Sequence, residues 1–128
     1  MNSYRPSYFK TCLVRHVFSG DQSTFSFNLR NQINTDILYD EVKINYIAYN
    51  TNTPNNMTTN IYVQEFQQYL GSVYDGNRLW TASSYSINLE GRPVPQSLTF
   101  KMIGNYTNEP LNPEYNDDIA IMLTFIKH

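Results

Sequence analysis

The sequence predicts an all-β fold in which antiparallel sheets pack face to face. Strand-like segments recur at short intervals and are separated by Gly, Pro, Asn and Asp residues, which is typical of sandwiches and barrels. In addition, residues 117–128 form a segment that is apolar on both faces. We expect this segment to be sandwiched in the fold or in an assembly, because an exposed edge of that kind invites aggregation.

Length and composition indicate one domain with a weakly charged surface. A chain of 128 residues has room for a single hydrophobic core. Charged residues make up 16% of it and the net charge is −2, against a usual charged share of about 25%. The basic residues are scattered and form no stripe that would neutralise a phosphate backbone, so nucleic-acid binding is disfavoured.

We divide the chain into an N-terminal arm, residues 1–8, and one sandwich domain, residues 9–128. The arm carries Tyr4 and Tyr8 but has no apolar period, and its aromatic residues favour docking on a neighbouring molecule. The sequence contains no apolar leader and no uncharged apolar run of about 18 residues. Neither a signal peptide nor a membrane span is therefore predicted.

Three strands are predicted in the first half of the domain, at residues 9–18, 24–29 and 41–49. The second of them alternates cleanly and is expected to send three side chains into the core: Phe25, Phe27 and Leu29. The third is expected to be a central strand. A polar loop rich in Asn and Thr follows over residues 50–60.

The second half begins with a strand at residue 60, but residues 64–74 are ambiguous. Val63, Phe66, Leu70 and Val73 are also spaced for one face of a helix, so both interpretations stay open. The Asp75-Gly76 pair then predicts a tight turn. The remaining predicted strands are residues 78–82, 85–89, 97–103 and the terminal segment 117–128.

The total of about eight strands matches a two-sheet jelly roll better than a seven-stranded immunoglobulin sandwich. The Cys, Trp, Cys arrangement of immunoglobulin domains is also missing. The predicted fold class is therefore a single jelly-roll sandwich of about eight antiparallel strands.

Residues that could carry chemistry are few, and structural roles are favoured for them. Cys12 and His16 share one face of a strand, where they could act as metal ligands or as nucleophile and base, but His128 is the only other imidazole. The carboxylates that flank strands lack the spacing of a calcium loop. No phosphate-binding loop, Gly-x-Ser-x-Gly or His-Glu-x-x-His motif is present. We predict no enzyme activity, no metal site and no cofactor.

Aromatic residues carry more information about function. The chain has 11 Tyr, 7 Phe and 1 Trp, together 15% of its residues, and tyrosine is enriched at interfaces because it joins a large apolar ring to a polar tip. The alternative is that many are half-buried strand residues with hydrated hydroxyls. The candidate protein or glycan contacts are Tyr4, Tyr8, Tyr69, Tyr74, Trp80, Tyr85, Tyr106 and Tyr115.

A family resemblance extends over most of the chain. In the second half it is carried by Ile61-Tyr62-Val63, Leu79-Trp80, Ser97-Leu98-Thr99-Phe100-Lys101-Met102, Glu109-Pro110-Leu111 and Asp118-Ile119-Ala120-Ile121-Met122-Leu123-Thr124-Phe125. In the first half it is looser, through Phe25-Ser26-Phe27-Asn28-Leu29 and Tyr39-Asp40-Glu41-Val42-Lys43-Ile44. These segments resemble the penton-like and minor capsid single jelly-roll proteins of large DNA viruses and virophages.

The resemblance implies a virion structural protein, synthesised in the host cytoplasm, that forms homo-oligomers such as pentamers or trimers and contacts a major capsid protein. A length of 128 residues is short for a vertex-forming penton, so a minor capsid or cement role is nearly as well supported. The alternative function is a receptor- or carbohydrate-binding module, such as a virus fibre head or a lectin-like domain. In that case the same loop aromatics would stack on sugar rings.

Overall fold

The computed structural model describes residues 8–19, 23–50, 58–74, 80–82, 86–104 and 116–128. Within them it shows nine strand segments and one 3-10 turn, at Leu29–Asn31. The strands are β1 (Tyr8–Val17), β2 (Thr24–Asn28), β3 (Glu41–Asn50), β4 (Thr58–Val63), β5 (Gln68–Tyr74), β6 (Trp80–Ala82), β7 (Ser86–Asn88), β8 (Ser97–Gly104) and β9 (Asp118–Lys127). No helix in this part of the chain is long and apolar enough to cross a membrane.

The strands form two antiparallel sheets. Sheet A has the order β1-β9-β3, and β6 and β7 both lie along the far edge of β3. Sheet B has the order β2-β8-β4-β5. β6 pairs with residues 46–48 of β3 and β7 pairs with residues 41–43, so these two short segments share one strand position. The nine segments therefore occupy eight positions, four in each sheet.

The pairing order defines a jelly roll. β1 pairs with β9 and β2 with β8, then β3 pairs with β6 and β7, and β4 pairs with β5. Successive pairs alternate between sheet A and sheet B, as they do when one long hairpin is wound around a barrel axis. The predicted fold class is confirmed.

Alternation along the strands explains the core between the sheets. In β8, Leu98, Phe100 and Met102 are fully buried while Thr99 and Lys101 on the other face are half-exposed. Burying an apolar side chain of this size contributes about 1.5–3 kcal/mol. Phe25 and Leu29 are buried as predicted, and Phe27 is half-buried and packs against the core.

The terminal strand lies in the middle of sheet A. β9 pairs with β1 along its whole length, from Tyr8 opposite Lys127 to Val17 opposite Asp118, and with β3 on its other side. Its inner face is fully buried, as expected for a strand flanked on both sides: Ile119, Ile121, Leu123 and Phe125. The segment was predicted to be sandwiched in the fold or in an assembly, and the first alternative is confirmed.

Residues 64–74 form a turn and a strand, so the helical alternative is wrong. The turn covers residues 64–67, and β5 follows from Gln68. The helix-like spacing arose because Val63 and Leu70 enter the core from two neighbouring strands, while Phe66 packs against the core from the turn. Gln67 has a φ of +51°, a left-handed conformation that reverses the chain here.

Glycine is needed where the pairing of β4 with β5 shifts register. The shift falls between Ile61 and Tyr62, which pair with Gly71 and Tyr69. Gly71 has a φ of +151°, and a Cβ there would lie 3.4 Å from Ile47 Cδ1 of sheet A. The positive φ, which residues with a Cβ rarely adopt, is therefore the reason that glycine is needed at this irregularity.

Several predicted features lie outside the described residues. These are residues 1–7 of the arm, the turn at residues 75–77, and most of the loops at residues 50–60 and 104–118. Tyr8, which the sequence assigned to the arm, is the first residue of β1.

Candidate functional site

The most unusual surface of the described structure is edge strand β1. Six large hydrophobic side chains are exposed in the described residues, and four of them lie on β1. Phe9, Leu13 and Val17 are 60%, 41% and 54% exposed, and their spacing of four places them on one face. β1 pairs with β9 on one side and, among the strands of the described residues, forms the border of sheet A. A long edge strand of this composition is a site for pairing with another chain.

The apolar character continues inward from β1 across the outer surface of sheet A. Leu13 is paired with Met122, which in turn is paired with Tyr46. In the next row, Ala120 lies between Arg15 and Ala48. Met122, Tyr46, Ala120 and Ala48 are all half-exposed. We call this surface the outer A face and define it by Phe9, Leu13, Val17, Tyr46, Ala48, Ala120 and Met122.

A polar row divides the outer A face. The Thr11 and Thr124 hydroxyl oxygens are 3.2 Å apart across the β1–β9 pair, and Asn45 Nδ2 donates to Thr124 Oγ1 at 2.6 Å. Asn45 lies where the register between β3 and β9 shifts, so the extra residue supplies this bond. These contacts hold three strands together on the exposed side.

The outer surface of sheet B is polar by comparison. Its described side chains on β2 and β8 are hydroxyls, amides and one ammonium group, with half-exposed Ile103 as the apolar exception: Thr24, Ser26, Asn28, Ser97, Thr99, Lys101 and Ile103. A polar outer face alternating with an apolar inner face is the ordinary pattern of a solvated antiparallel sheet. Sheet A departs from this pattern, and its outer face is therefore the stronger candidate for a protein contact.

Among the described side chains, sheet B carries one aromatic pair at its edge. The rings of Tyr62 and Tyr69 meet edge to face with centroids 5.1 Å apart, and Tyr69 is 46% exposed. Beside them, Ser72 Oγ donates to Asn60 Oδ1. Lys101 of β8 lies directly opposite Tyr62 of β4. This group, the Tyr62–Tyr69 pair, offers a ring surface next to polar side chains.

The structure describes only part of the predicted contact set. Tyr8 is 48% exposed and stacks on buried Tyr39 with ring centroids 6.2 Å apart. Tyr8 and Tyr69 lie on different sheets, so they belong to separate surfaces. Tyr74 and Trp80 belong to β5 and β6 by backbone, and their side chains lie outside the described part. Tyr4, Tyr85, Tyr106 and Tyr115 also lie outside it.

Cys12 and His16 share the inner face of β1, as their spacing predicts. Cys12 is 1% exposed, and this burial raises the pKa of its thiol to about 11, because the thiolate is poorly solvated there. His16 stacks on Phe25 with centroids 4.5 Å apart and meets Phe18 edge-on. No group of three or more His, Cys, Asp or Glu side chains in the described residues could hold a metal ion.

A second aromatic group closes the opposite end of the sandwich. Tyr39 is fully buried, stacks on Tyr8 and contacts Phe125 with ring centroids 5.5 Å apart. Its pKa is raised, mainly because burial disfavours the phenolate and further because the Tyr8 phenol lies nearby. Lys127 Nζ donates to the Leu38 carbonyl at 2.9 Å. These contacts fix the first residue of β1 and the last residue of β9 to the loop before β3.

Sequence reasoning missed Phe9, Leu13 and Val17 as contact residues. It considered tyrosines and tryptophan, whereas the exposed strand presents a phenylalanine and two aliphatic side chains. The available signal was that residues 9–17 are apolar on both faces, with Cys12 and Val14 alternating against these three. That pattern resembles β9, but β9 is central and β1 is an edge.

Comparisons with known proteins give no family. No protein-family model matches the sequence, and no curated protein matches it. Solved structures that overlap with it include the Drosophila NLP-core, described for pentamer formation and histone binding, at 9% identity over 90% of this chain and 97% of that one, with a TM-score of 0.45.

Two viral structures overlap less well. The virus-like particle of extra small virus from the giant freshwater prawn Macrobrachium rosenbergii matches at 9% identity over 100% of this chain and 84% of that one, with a TM-score of 0.41. The Tobacco streak virus coat protein matches at 7% identity over 89% and 85%, with a TM-score of 0.36. Overlap at this level has no bearing on function.

Proposed function

We propose that this chain is a structural subunit of a virion that associates with copies of itself through β1 and the outer A face. The observation that carries the proposal is the concentration of exposed large hydrophobic side chains on one edge strand. Leaving Phe9, Leu13 and Val17 in water forgoes the gain from burying them. Leu13 lies beside Met122, which lies beside Tyr46, so the exposed apolar side chains of β1 continue into an apolar row across sheet A.

The low charge of the chain favours other proteins as its binding partners. The chain has a net charge of −2 and only 16% charged residues, so its surface suits packing against protein rather than a packed nucleic acid. Within a virion, we assign it a penton or a minor capsid or cement role, with contact to a major capsid protein. The arm, residues 1–8, is a second proposed contact, and synthesis in the host cytoplasm is part of the same proposal.

The first test is the mass of the purified protein by size exclusion with light scattering. A pentamer supports a position at a five-fold vertex, and a monomer that dimerises weakly supports a cement protein that assembles on the capsid. A trimer favours a receptor-binding head instead. A strict monomer at every concentration, with no binding to assembled capsids, would contradict the proposal.

A matched pair of variants tests whether the outer A face makes the contact. Leu13→Asp places a charge on edge strand β1, and Ser26→Asp places the same charge on edge strand β2 of the other sheet. Both positions are exposed, so both proteins should fold. We expect Leu13→Asp to reduce the fraction of oligomer and Ser26→Asp to leave it unchanged. Equal effects of the two variants would contradict the assignment to sheet A.

A glycan-binding module is the second candidate, favoured by the Tyr62–Tyr69 pair. An exposed tyrosine ring next to amide, hydroxyl and ammonium groups has the composition of a sugar-stacking surface. The test is a glycan array followed by titration of any hit against Tyr69→Ala. Tyr69→Phe is the control, since it keeps the ring and loses only the hydroxyl. Absence of binding by the unmodified protein removes this candidate.

A further inference from the structure

We infer that two copies of this chain pair through their β1 strands, antiparallel, about a two-fold axis at Leu13. Sheet A then continues from one molecule into the next. The inference rests on the proposed self-association and specifies its geometry. Its partner is a second copy of this chain, and its interface has the same residues on both sides.

The outward-facing residues of β1 are nearly symmetric about Leu13. In order they are Phe9, Thr11, Leu13, Arg15 and Val17. When two such strands run antiparallel about Leu13, directly opposite residues lie on the same face of the extended sheet. Phe9 then faces the partner's Val17, Leu13 faces the partner's Leu13, and Thr11 faces the partner's Arg15. Each of the three exposed apolar residues on the outward face of β1 thus has an apolar residue of the partner directly opposite.

Other registers lose this match. An axis at Arg15 places the two Arg15 side chains directly opposite, which is destabilising. An axis at Cys12 sets Phe9 against the partner's Arg15 and Leu13 against the partner's Thr11. An axis at Thr11 covers Phe9 with the partner's Leu13 but places Val17 beyond the end of the partner's β1. Of these axes, the one at Leu13 pairs all three apolar residues with each other.

The charges on β1 are compatible with the same register. Lys10 and Arg15 are its charged residues, and it carries no acidic residue. With the two-fold axis at Leu13, Lys10 lies opposite the partner's His16, whose ring stacks on Phe25. The two Arg15 residues are four residue steps apart along the strands, about 14 Å. That separation exceeds the Debye length of about 10 Å at 0.1 M salt, so their repulsion is screened.

The size of the contact predicts a weak dimer. A ten-residue strand is about 34 Å long, and an edge about 10 Å thick gives about 340 Å² per partner and about 700 Å² in total. Stable interfaces bury at least about 1,000 Å². The pairing should therefore dissociate on dilution unless other contacts in an assembly support it, and a cross-link is the appropriate probe.

Leu13→Cys tests the register directly. Opposite residues in an antiparallel pair have Cα atoms about 4.5–5.5 Å apart, within the range of about 4.4–6.8 Å that a disulfide spans. With oxidised glutathione as oxidant, the two introduced thiols, one from each copy, form the S–S bond. Glutathione disulfide takes up the two electrons and two protons released and gives two glutathione thiols. Leu13 is 41% exposed, so the substitution should not disturb folding.

Two controls accompany this variant. Thr11→Cys lies on the same face and is also exposed, but in the Leu13 register its two copies are about 14 Å apart. The unmodified protein controls for Cys12, which is buried with a raised pKa. Reduced samples of both variants are compared with it by circular dichroism, so that any difference in cross-linking reflects position and not misfolding.

We expect the Leu13→Cys dimer to form at least about tenfold faster than the Thr11→Cys dimer, because pairing raises the local thiol concentration. Equal rates, or faster Thr11→Cys dimers, overturn the inferred register. If Leu13→Cys fails to cross-link while Leu13→Asp still abolishes oligomers, the strand pairing is overturned and the proposed function survives. If the protein is a monomer throughout and neither cross-link forms, the strand pairing is overturned, and if it also fails to bind assembled capsids the proposed function is overturned with it.

Discussion

The hydroxyl of Tyr49 donates a 2.6 Å hydrogen bond to the carboxylate of Asp117, and both residues are almost fully buried. Tyr49 lies near the end of β3, and Asp117 immediately precedes β9. The Asp117 carbonyl also accepts from Phe18 N at 2.8 Å, and Asn116 N donates to Phe18 O at 2.9 Å. The ends of β1, β3 and β9 are thereby held together at one end of sheet A.

Tyr49→Phe should lower the free energy of unfolding by about 2 kcal/mol, since it removes a bond to a charged acceptor and keeps the ring in place. Urea denaturation followed by far-ultraviolet circular dichroism measures this. Tyr69→Phe is the control, because Tyr69 is 46% exposed and loses a hydroxyl that water can replace. A change below about 0.5 kcal/mol for Tyr49→Phe, as expected for a surface substitution, would show that the bond does not stabilise the fold.

Asp117 illustrates what the sequence could not supply. From sequence alone its carboxylate is one of several that flank strands and for which a structural role is favoured, and no partner for it is visible there. The partner, Tyr49, is 68 residues away. A buried polar residue of this kind is recognised only when the register of β3 against β9 is known.

Alanine variants of two phenylalanines distinguish an effect on the stability of the monomer from an effect on self-association. Phe100→Ala removes a fully buried ring and should cost about 3–5 kcal/mol of unfolding free energy. Phe9→Ala removes a ring that is 60% exposed and should change the stability of the monomer much less. We expect only Phe9→Ala to reduce self-association without loss of secondary structure. Light scattering and urea denaturation on both variants give the comparison.

A contrary result would be equally clear. If Phe9→Ala unfolds as readily as Phe100→Ala, Phe9 belongs to the core and the outer A face is not available for a partner. If Phe9→Ala leaves both stability and association unchanged, β1 is not a contact strand.

Cys12 should make stability depend on pH in the alkaline range. Its pKa is raised by burial from 9.0 to about 11 in the folded protein. Well below pH 9 the thiol is protonated in both the folded and the unfolded state and contributes no pH dependence. Between pH 9 and 11 the unfolded chain releases this proton and the folded chain retains it. The contribution of Cys12 to the free energy of unfolding should therefore fall as the pH rises, by up to about 1.4 kcal/mol per pH unit.

The comparison with Cys12→Ala isolates this effect, because Tyr39 and the lysines remain in both proteins. We expect the difference in unfolding free energy between the two proteins to shrink as the pH rises from about 9 to about 10.5. The thiol of the native protein should also react slowly with Ellman's reagent at about pH 8 and react rapidly in urea. A constant difference across this pH range would contradict the raised pKa.

The sequence predicted the sandwich and most strands because alternation is a local property. Leu98, Phe100 and Met102 identify β8 without reference to any other segment. Where local patterns overlap, prediction was weaker: Val63, Phe66 and Leu70 fit a helix until the left-handed Gln67 separates two strands. The edge position of β1 was not predictable, since it follows from the pairing of residues about 100 positions or more apart.

Glu65 should stabilise the turn at residues 64–67, where the sequence left a helix open as an alternative. Its carboxylate accepts from Thr99 N at 2.6 Å and from Thr99 Oγ1 at 2.9 Å, linking residues 64–67 to β8. Glu65→Ala should cost about 1–2 kcal/mol, since both bonds have a charged acceptor at an exposed site. Gln64→Ala is the control: Gln64 is exposed and its backbone bond to Thr99 O is retained. Hydrogen exchange at the Thr99 amide should accelerate in Glu65→Ala alone, and unchanged exchange there would contradict the role of Glu65.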